Sequence, residues 1–428
     1  MNNAFAPSGF AARMTRWAGF SLVACYALFP TFPAPWAIAV TAFLACWLLA
    51  GQFAQRWRDI RGVPGVWVAL ALCAVVLLWT LHPGADPEFR GMVLRKYSKV
   101  ALIPIMISLL VEPVWRKRCM NAFIGAMLFL LASTYVGIWL PLPWAVTQQT
   151  GWGFDRTVVG DYITQGITMS FFVVVALDRA LAQTRPWHRA AWWAVTVLAV
   201  VSMTHLSQGR TGYMLLGAGL GSYVLFSLRG RTRWIGIAVL AVAAAGAVLT
   251  SSVIRERVEL FVTQAERSST MEITSISGRV NFWRMTLRMI EERPITGWGT
   301  GSYHREWCTH LPDRPDWCAF GRWHPHNQFL FFWMENGLPG LLLYAALVLA
   351  PLWAARRAPP ELRGLLVSFS VIFLLNSMIN AALWSARENH FFSYMSALLL
   401  AEAVFRRRAD QPADSAAVSN CSTQRSNA

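Results

Sequence analysis

Residues 17–55 read WAGFSLVACYALFPTFPAPWAIAVTAFLACWLLAGQFAQ, without one Asp, Glu, Lys or Arg. A helix or strand at a water-facing surface needs a polar face, and this stretch has none to offer. It is too long for a single bilayer crossing, which takes about 20 apolar residues. Its middle, PTFPAP at 30–35, carries three prolines that end one helix and can open the next. Two spans are therefore expected, 17–32 and 34–51, joined by a short turn.

The pattern holds along the chain, which is 55% apolar and only 14% charged over 428 residues, far from the balance of a soluble protein. Further apolar runs bounded by Arg, Asp or Pro predict spans at 64–82, 98–112, 120–141, 163–182, 190–207, 211–228, 234–254, 328–355, 363–385 and 389–405. The expected fold is an all-α polytopic membrane protein of about twelve transmembrane helices. Nine lie in residues 1–252, a long polar region carrying helices follows at 253–325, and three more spans lie in 326–408. Residues 409–428 are small, polar and patternless, the composition of a disordered tail. Arg13 and Arg16 before the first span resemble the start of a signal peptide, but a second span follows with no cleavage site, so the first reads as an uncleaved anchor.

Orientation follows from Lys and Arg in the short loops, which mark the cytoplasm. With the N-terminus inside, the cytoplasmic clusters are Arg56, Arg58 and Arg61; Arg116, Lys117 and Arg118; Arg179, Arg185 and Arg189; Arg229, Arg231 and Arg233; Arg356, Arg357 and Arg363; and Arg406, Arg407 and Arg408. Both termini then lie in the cytoplasm, and the net charge of +16 is partly a topological signal that implies no nucleic acid. Two outer regions break the rule: HPGADPEFRGMVLRKYSK at 82–99, with Arg90, Arg95, Lys96 and Lys99, and 253–325, with ten Arg. Long loops cross regardless of charge, so the second is accounted for as a solvated region. Cations kept on the outer face in the first suggest an anionic ligand, phosphate foremost.

Seven of the eight histidines also fall on that side, at 82, 205, 304, 310, 324, 326 and 390. Within the long region, RVNFWRMTLRMIEERP at 279–294 mixes Arg and apolar positions at helical density, after the start signal Ser277-Gly278 and before Pro294. It reads as an interfacial helix. ITGWGTGSYH follows, its glycines 297, 299 and 301 permitting a tight turn, for which a structural use outweighs phosphate binding. Cys308 and Cys318, ten apart on the outer, oxidising side, are expected to be bridged, whereas Cys25, Cys46 and Cys73 lie in spans as small apolar fillers.

Three pieces together resemble the O-antigen ligases, within the wider O-antigen ligase and polymerase superfamily: SQGRTGY at 207–213, SGRVNFWRMTLRMIEERPITGWGTGSY at 277–303, and HNQFLFFWMENGLPG at 326–340. The family's His-Asn/Ser, Leu and Gly pattern falls on His326, Asn327, Leu330 and Gly337. The resemblance implies a glycosyltransferase that moves a polysaccharide from an undecaprenyl-diphosphate donor to a sugar hydroxyl of the lipid A core. The work would be done at the outer face of the bacterial inner membrane, among membrane lipids and without a cofactor. His326 is then the candidate general base, with Arg210 and Arg279 at the positions that engage the diphosphate. Accessory candidates are Arg90, Arg95, Lys96, His324 and Asn327.

Each role has a plainer rival. His326 could be a helix-start residue satisfied by backbone, Arg210 part of a turn, and Arg279 a side chain snorkelling to headgroups. His324 and His326 could hold a metal, although only Asp313 and Asp316 are near enough to complete a ligand set. Arg210 has the strongest physical case. It interrupts the apolar stretch 190–228, where a charge costs about 3 kcal/mol at mid-bilayer and less toward the edge. One base without a partner carboxylate as nucleophile implies direct displacement with inversion. The alternatives to a ligase are an O-antigen polymerase, a protein O-glycosylating ligase, or a transporter or flippase of lipid-linked glycan. A transporter would gather its ionisable groups near mid-membrane rather than at one edge.

Overall fold

The computed structural model describes residues 9–256, 259–260, 275–312 and 315–410, and among them only helices, turns and loops. The helices are α1 (Gly9–Leu28), α2 (Pro33–Ala50), α3 (Phe53–Ile60), α4 (Pro64–Leu78), α5 (Arg90–Tyr97), α6 (Leu102–Leu109), α7 (Pro113–Val136), α8 (Tyr162–Ala182), α9 (Pro186–His205), α10 (Arg210–Ser227), α11 (Gly230–Thr250), α12 (Ser275–Glu292), α13 (Tyr303–Thr309), α14 (Pro315–Gly321), α15 (Gln328–Ala355), α16 (Pro360–Ile379) and α17 (Ala386–Asp410). Six of them, α2, α4, α7, α9, α14 and α16, open with Pro in the first turn. There its missing N–H is no loss and its fixed φ already suits the helix.

Every expected span coincides with a helical segment. Seven of these are long and apolar enough to cross a membrane: 33–50, 64–81, 113–136, 162–182, 230–250, 328–355 and 360–379. The chain is an all-helical, multi-pass membrane protein. The remaining five are diluted by charge or glycine, or are broken. The clearest departure is at 82–99, expected as an outer connection to a span at 98–112. Instead α5 passes through a tight 3₁₀ turn at Ser98–Ala101 directly into α6, so Arg90, Arg95, Lys96 and Lys99 ride on one helical run ending at Leu109. A second departure is at the C-terminus, where α17 continues to Asp410 and takes in the first two residues of the expected tail. The rest of the tail, and residues 261–274 of the polar region, lie outside the described residues.

Helices α8, α15, α16 and α17 form the centre, and α11, with no buried residue, sits at the periphery against α10. Between hydrocarbon-soluble helices, close backbone approach replaces the hydrophobic effect as the source of attraction. Gly166 of α8 faces Gly212 of α10, where an added Cβ would stand 3.2 Å from the opposite Cα, and the Ser170 hydroxyl donates across to the Gly212 carbonyl at 3.3 Å. That contact holds the first turns of α8 and α10 side by side.

Helix α15 is interrupted. Gly337 takes φ 64°, ψ −162° in its middle, which frees backbone groups on both sides. The glycine-rich segment before α13 takes them up: Trp298 and Gly299 donate N–H groups to the Met334 and Glu335 carbonyls at 2.9 and 2.8 Å, and Leu338 donates to the Ile295 carbonyl at 3.1 Å. Gly297, Gly299 and Gly301 all have positive φ. A Cβ on Gly297 would meet the Met334 and Glu335 carbonyl oxygens at 2.8 Å. The turn is also tied to α4, with the Thr300 hydroxyl donating to the Val76 carbonyl at 2.8 Å and the Asn336 Nδ2 donating to that hydroxyl at 3.0 Å. The structural use of these glycines is to dock the polar region onto a broken span.

Gly337→Ala should therefore cost more than about 2 kcal/mol, since strain at such a φ alone is worth about 1–3 kcal/mol and the added methyl has no room. Thermal unfolding in detergent should show a clear fall in Tm. Leu338→Ala, beside it on an exposed position, should leave Tm within about 2 °C of wild type, as surface substitutions usually do.

Candidate functional site

The site grows from the turn that precedes α15. Asn327 is the N-cap, its Oδ1 accepting from the Phe329 and Leu330 N–H groups at 3.0 and 3.1 Å. Its place in the family-like pattern has a structural use, helix capping. Before it, His326 adopts φ 52°, one of two positive-φ residues other than glycine among those described. Backbone strain of this kind persists where the surroundings over-determine a side chain's position. Pro325 turns the chain so that the His324 and His326 rings face each other at 4.3 Å between centroids, and His324 Nδ1 accepts from the His326 N–H at 3.3 Å.

Helix α12 covers this turn. It starts no later than Ser275, ahead of the expected Arg279, and presents Arg279 and Phe282 on one face, since positions three apart are helical neighbours. Phe282 stacks on His326, centroids 5.7 Å apart with 10° between planes. Arg279 is half-buried, and its charge acts on both imidazoles. Burial first, and the Arg279 guanidinium second, push His326 down to about 4, opposed by a hydrogen bond to Asn380. His324 is held well below the ordinary histidine value by burial, by His326 and by the charges of Lys96 and Arg279. Both imidazoles are neutral at neutral pH.

Arg210 is the first residue of α10, carried to the site end by the Gly166–Gly212 contact. The turn before it is held by the Asp155 carboxylate, which accepts from the Gln208 N–H at 3.2 Å, and by the Tyr213 hydroxyl, which donates to the Ser207 carbonyl. Arg279 is lowered by burial and then by Arg210, and raised by Tyr162 at the start of α8. The two guanidiniums expected to act together are therefore within electrostatic reach of each other, on different helices.

The accessory candidates divide. Lys96 belongs to the site: its Nζ lies 4.1 Å over the Trp384 ring and donates to the Trp384 carbonyl at 3.0 Å, while that ring lies 5.8 Å from His324. Arg90 is turned elsewhere, donating to the Thr80 carbonyl at 3.4 Å. Arg95 acts through its charge on Lys96 and Lys99. The other histidines are dispersed: His310 bonds Glu292 at 3.1 Å, His205 the Thr250 hydroxyl at 3.1 Å, and His390 packs on Trp36. Among the described residues no three His, Cys, Asp or Glu side chains converge as a metal ligand set; Asp313 lies outside them. Cys308 and Cys318 are bridged, joining α13 to α14 beside the hydrogen bond from Trp307 Nε1 to the Trp317 carbonyl at 2.9 Å.

Sequence reasoning missed Phe282, Trp384 and Asn380. Phe282 was hidden in an apolar helix face. Asn380 and Trp384 sit in NSMINAALWSARENH, 376–390, where amides and charges interrupt an apolar run, a mark of function inside a membrane protein. Residues 194–345 match the model of the O-antigen ligase family. That segment runs from α9 into α15 and contains Arg210, Arg279, His324, His326 and Asn327, but not Lys96, Asn380 or Trp384. No curated protein matches the chain.

Alkylation of unfolded, unreduced protein followed by mass spectrometry should label Cys25, Cys46, Cys73, Cys119 and Cys421 and leave Cys308 and Cys318 as one linked peptide pair. Label on both of the latter would remove the bridge.

Proposed function

We propose, on the premise that the chain carries the O-antigen ligase domain over residues 194–345, that it transfers O-antigen polysaccharide from undecaprenyl diphosphate to a sugar hydroxyl of the lipid A core. The observation that carries the reading is that the helix bearing Arg279 covers His326, its Phe282 ring stacked on the imidazole, with Arg210 at the start of another helix within electrostatic reach of Arg279. The membrane placement that goes with it is the bacterial inner membrane, with both termini cytoplasmic and His326 on the periplasmic side, supported by the Arg clusters of the opposite loops.

The chemistry needs no metal. The acceptor hydroxyl gives its proton to the free ring nitrogen of His326 as its oxygen attacks the anomeric carbon of the donor. The bond from that carbon to the diphosphate oxygen breaks, and the diphosphate leaves with the electron pair. Arg279 and Arg210 receive the charge, their planar forks suiting phosphate oxygens. A single displacement inverts the anomeric centre. Lys96 and His324 line the adjoining wall and orient substrate.

A base held near pKa 4 is weak, and the donor corrects this. The arginine charge that depresses His326 is offset once a diphosphate sits beside it, so the imidazole rises toward neutrality only in the loaded complex. The sign is definite. A histidine depressed from 6.5 to about 4 stays neutral in the free enzyme down to about pH 4, so the acid limb of kcat/KM should lie below pH 5, and that of kcat, which reports the complex, at higher pH.

Transfer by purified protein, with undecaprenyl diphosphate glycan and lipid A core acceptor, tests the assignment. His326→Ala should lose about 10² to 10⁴ in rate, the usual worth of a general base, with normal expression and donor binding. Arg210→Ala and Arg279→Ala should lose most activity and the Lys variants recover part of it, since ammonium keeps the charge without the fork. Chelator should change nothing. Full transfer by His326→Ala overturns the base assignment, and growth of lipid-linked polymer in place of capped core makes the protein a polymerase. Reporters fused near residue 300 should read periplasm and those near residue 230 cytoplasm; the reverse at 300 removes the reading.

A further inference from the structure

Two cavities flank α17 at the end of the bundle opposite His326. Helix α15 starts just after His326 and runs 28 residues to Ala355, so at 1.5 Å per residue about 40 Å of helix separates them from the transfer site. The larger, of about 510 Å³, lies between α7, α8, α16 and α17. Its four cations share it with three carboxylates, and part of that charge is already matched. Arg116 Nε donates to Glu402 at 2.6 Å, its Nη1 donates to the Leu110 and Val111 carbonyls at 2.9 and 2.7 Å, and Arg406 stands 3.9 Å from the same carboxylate. A cavity lined by both signs selects no anion.

The smaller, of about 260 Å³, lies between the start of α4 and the ends of α15 and α17. Among the described residues its charged lining is Arg357 of the turn after α15 and Arg407 of α17, with no Asp or Glu. Neither guanidinium makes a hydrogen bond or ion pair with a described residue; Arg357 stands 5.2 Å over the Trp353 ring. Leu400 and Val404 supply an apolar wall. Beside it α4 presses on α17 so closely that a Cβ on Gly65 would stand 2.4 Å from Leu400 Cδ1. Topology explains why arginines gather at this end. It does not explain why two of them, from separate elements, line one cavity with no acid between them, where each raises the cost of the other.

We propose that this cavity is a binding site for an anionic phospholipid, with the lipid phosphate held between Arg357 and Arg407. Guanidinium forks suit phosphate oxygens, and basic pockets between membrane helices on the cytoplasmic side take anionic headgroups. The glycerol and first methylenes rest on Trp353, Leu400 and Val404. Trp353 is 40% exposed, so its ring has one part against protein and one toward lipid, as indoles at the headgroup boundary do. The volume falls just under the roughly 300 Å³ at which sites for whole small molecules begin; it holds a headgroup and leaves the chains in the bilayer. Bound there, the lipid joins the end of α15 to the end of α17, two helices of the central group. The site lies at the far end of the bundle and stands or falls apart from the transfer reading.

The test titrates delipidated full-length protein in detergent with phosphatidylglycerol, phosphatidylcholine or inorganic phosphate. Tm and the lipid retained in native mass spectrometry are read, and neither readout uses transfer activity. Phosphatidylglycerol should raise Tm by about 3 °C or more near saturation. Phosphatidylcholine, which carries its own cation, and phosphate, which has no chain to bury, should each bind at least about tenfold more weakly. Arg357→Gln with Arg407→Gln should weaken phosphatidylglycerol at least about tenfold, since hydrogen bonds to charged groups are worth that much. Arg229→Gln with Arg231→Gln removes the same charge away from the cavity and should stay within about twofold. Val404→Trp keeps both arginines but fills the cavity, and should weaken binding by about tenfold even if the double arginine variant fails to insert. Wild-type affinity in the folded double variant or in Val404→Trp, or equal binding of phosphatidylcholine, overturns the site. Equal binding of inorganic phosphate overturns the lipid and leaves a free-anion site.

Discussion

The pairing between the interrupted helix α15 and the glycine-rich turn at 295–301 is the constraint on which the rest of the structure depends. A span broken at Gly337 exposes carbonyls that hydrocarbon cannot satisfy, and Trp298 and Gly299 satisfy them. The same bonds fix the far end of α12 to the bundle, and so its near end, with Arg279 and Phe282, stands over the turn that carries His326. Irregular backbone within a membrane protein is tolerated only where protein buries it or a cavity lies beside it. Here it holds a polar region against a helix bundle with ladder-like hydrogen bonds and no strand among the described residues.

The site's electrostatics follow from that placement. Bringing a guanidinium against a buried imidazole disfavours the imidazolium twice over, through desolvation and through like charge. The resting state is a neutral ring facing cations, which suits a base awaiting an anionic donor. Opposing this is the amide at Asn380, the one contact that favours the protonated ring. Burial first and Arg279 second set how reluctantly His326 takes a proton.

Much was legible without coordinates. Apolar runs and prolines located twelve helical segments because a bilayer imposes a fixed length and a fixed polarity on each. The pattern at His326, Asn327, Leu330 and Gly337 pointed to the site, though for mixed reasons, since Asn327 caps a helix and Gly337 breaks one. The cations at 82–99 were legible as a group, but not that they ride on a helix running directly into the next, where Lys96 finds Trp384.

By itself, then, the sequence determined the solvent of this protein, the approximate place of its apolar helices, and the residues whose chemistry is out of keeping with hydrocarbon. Those are local properties, written in windows of about 20 residues. Only the tertiary structure decided which of the arginines acts on His326, that Arg90 turns away while Lys96 does not, and that Phe282 stacks on the ring from another helix. No local pattern encodes these contacts. They depend on how helices pack through Gly166, Gly212 and Gly297, where the absence of a side chain sets the distance between backbones.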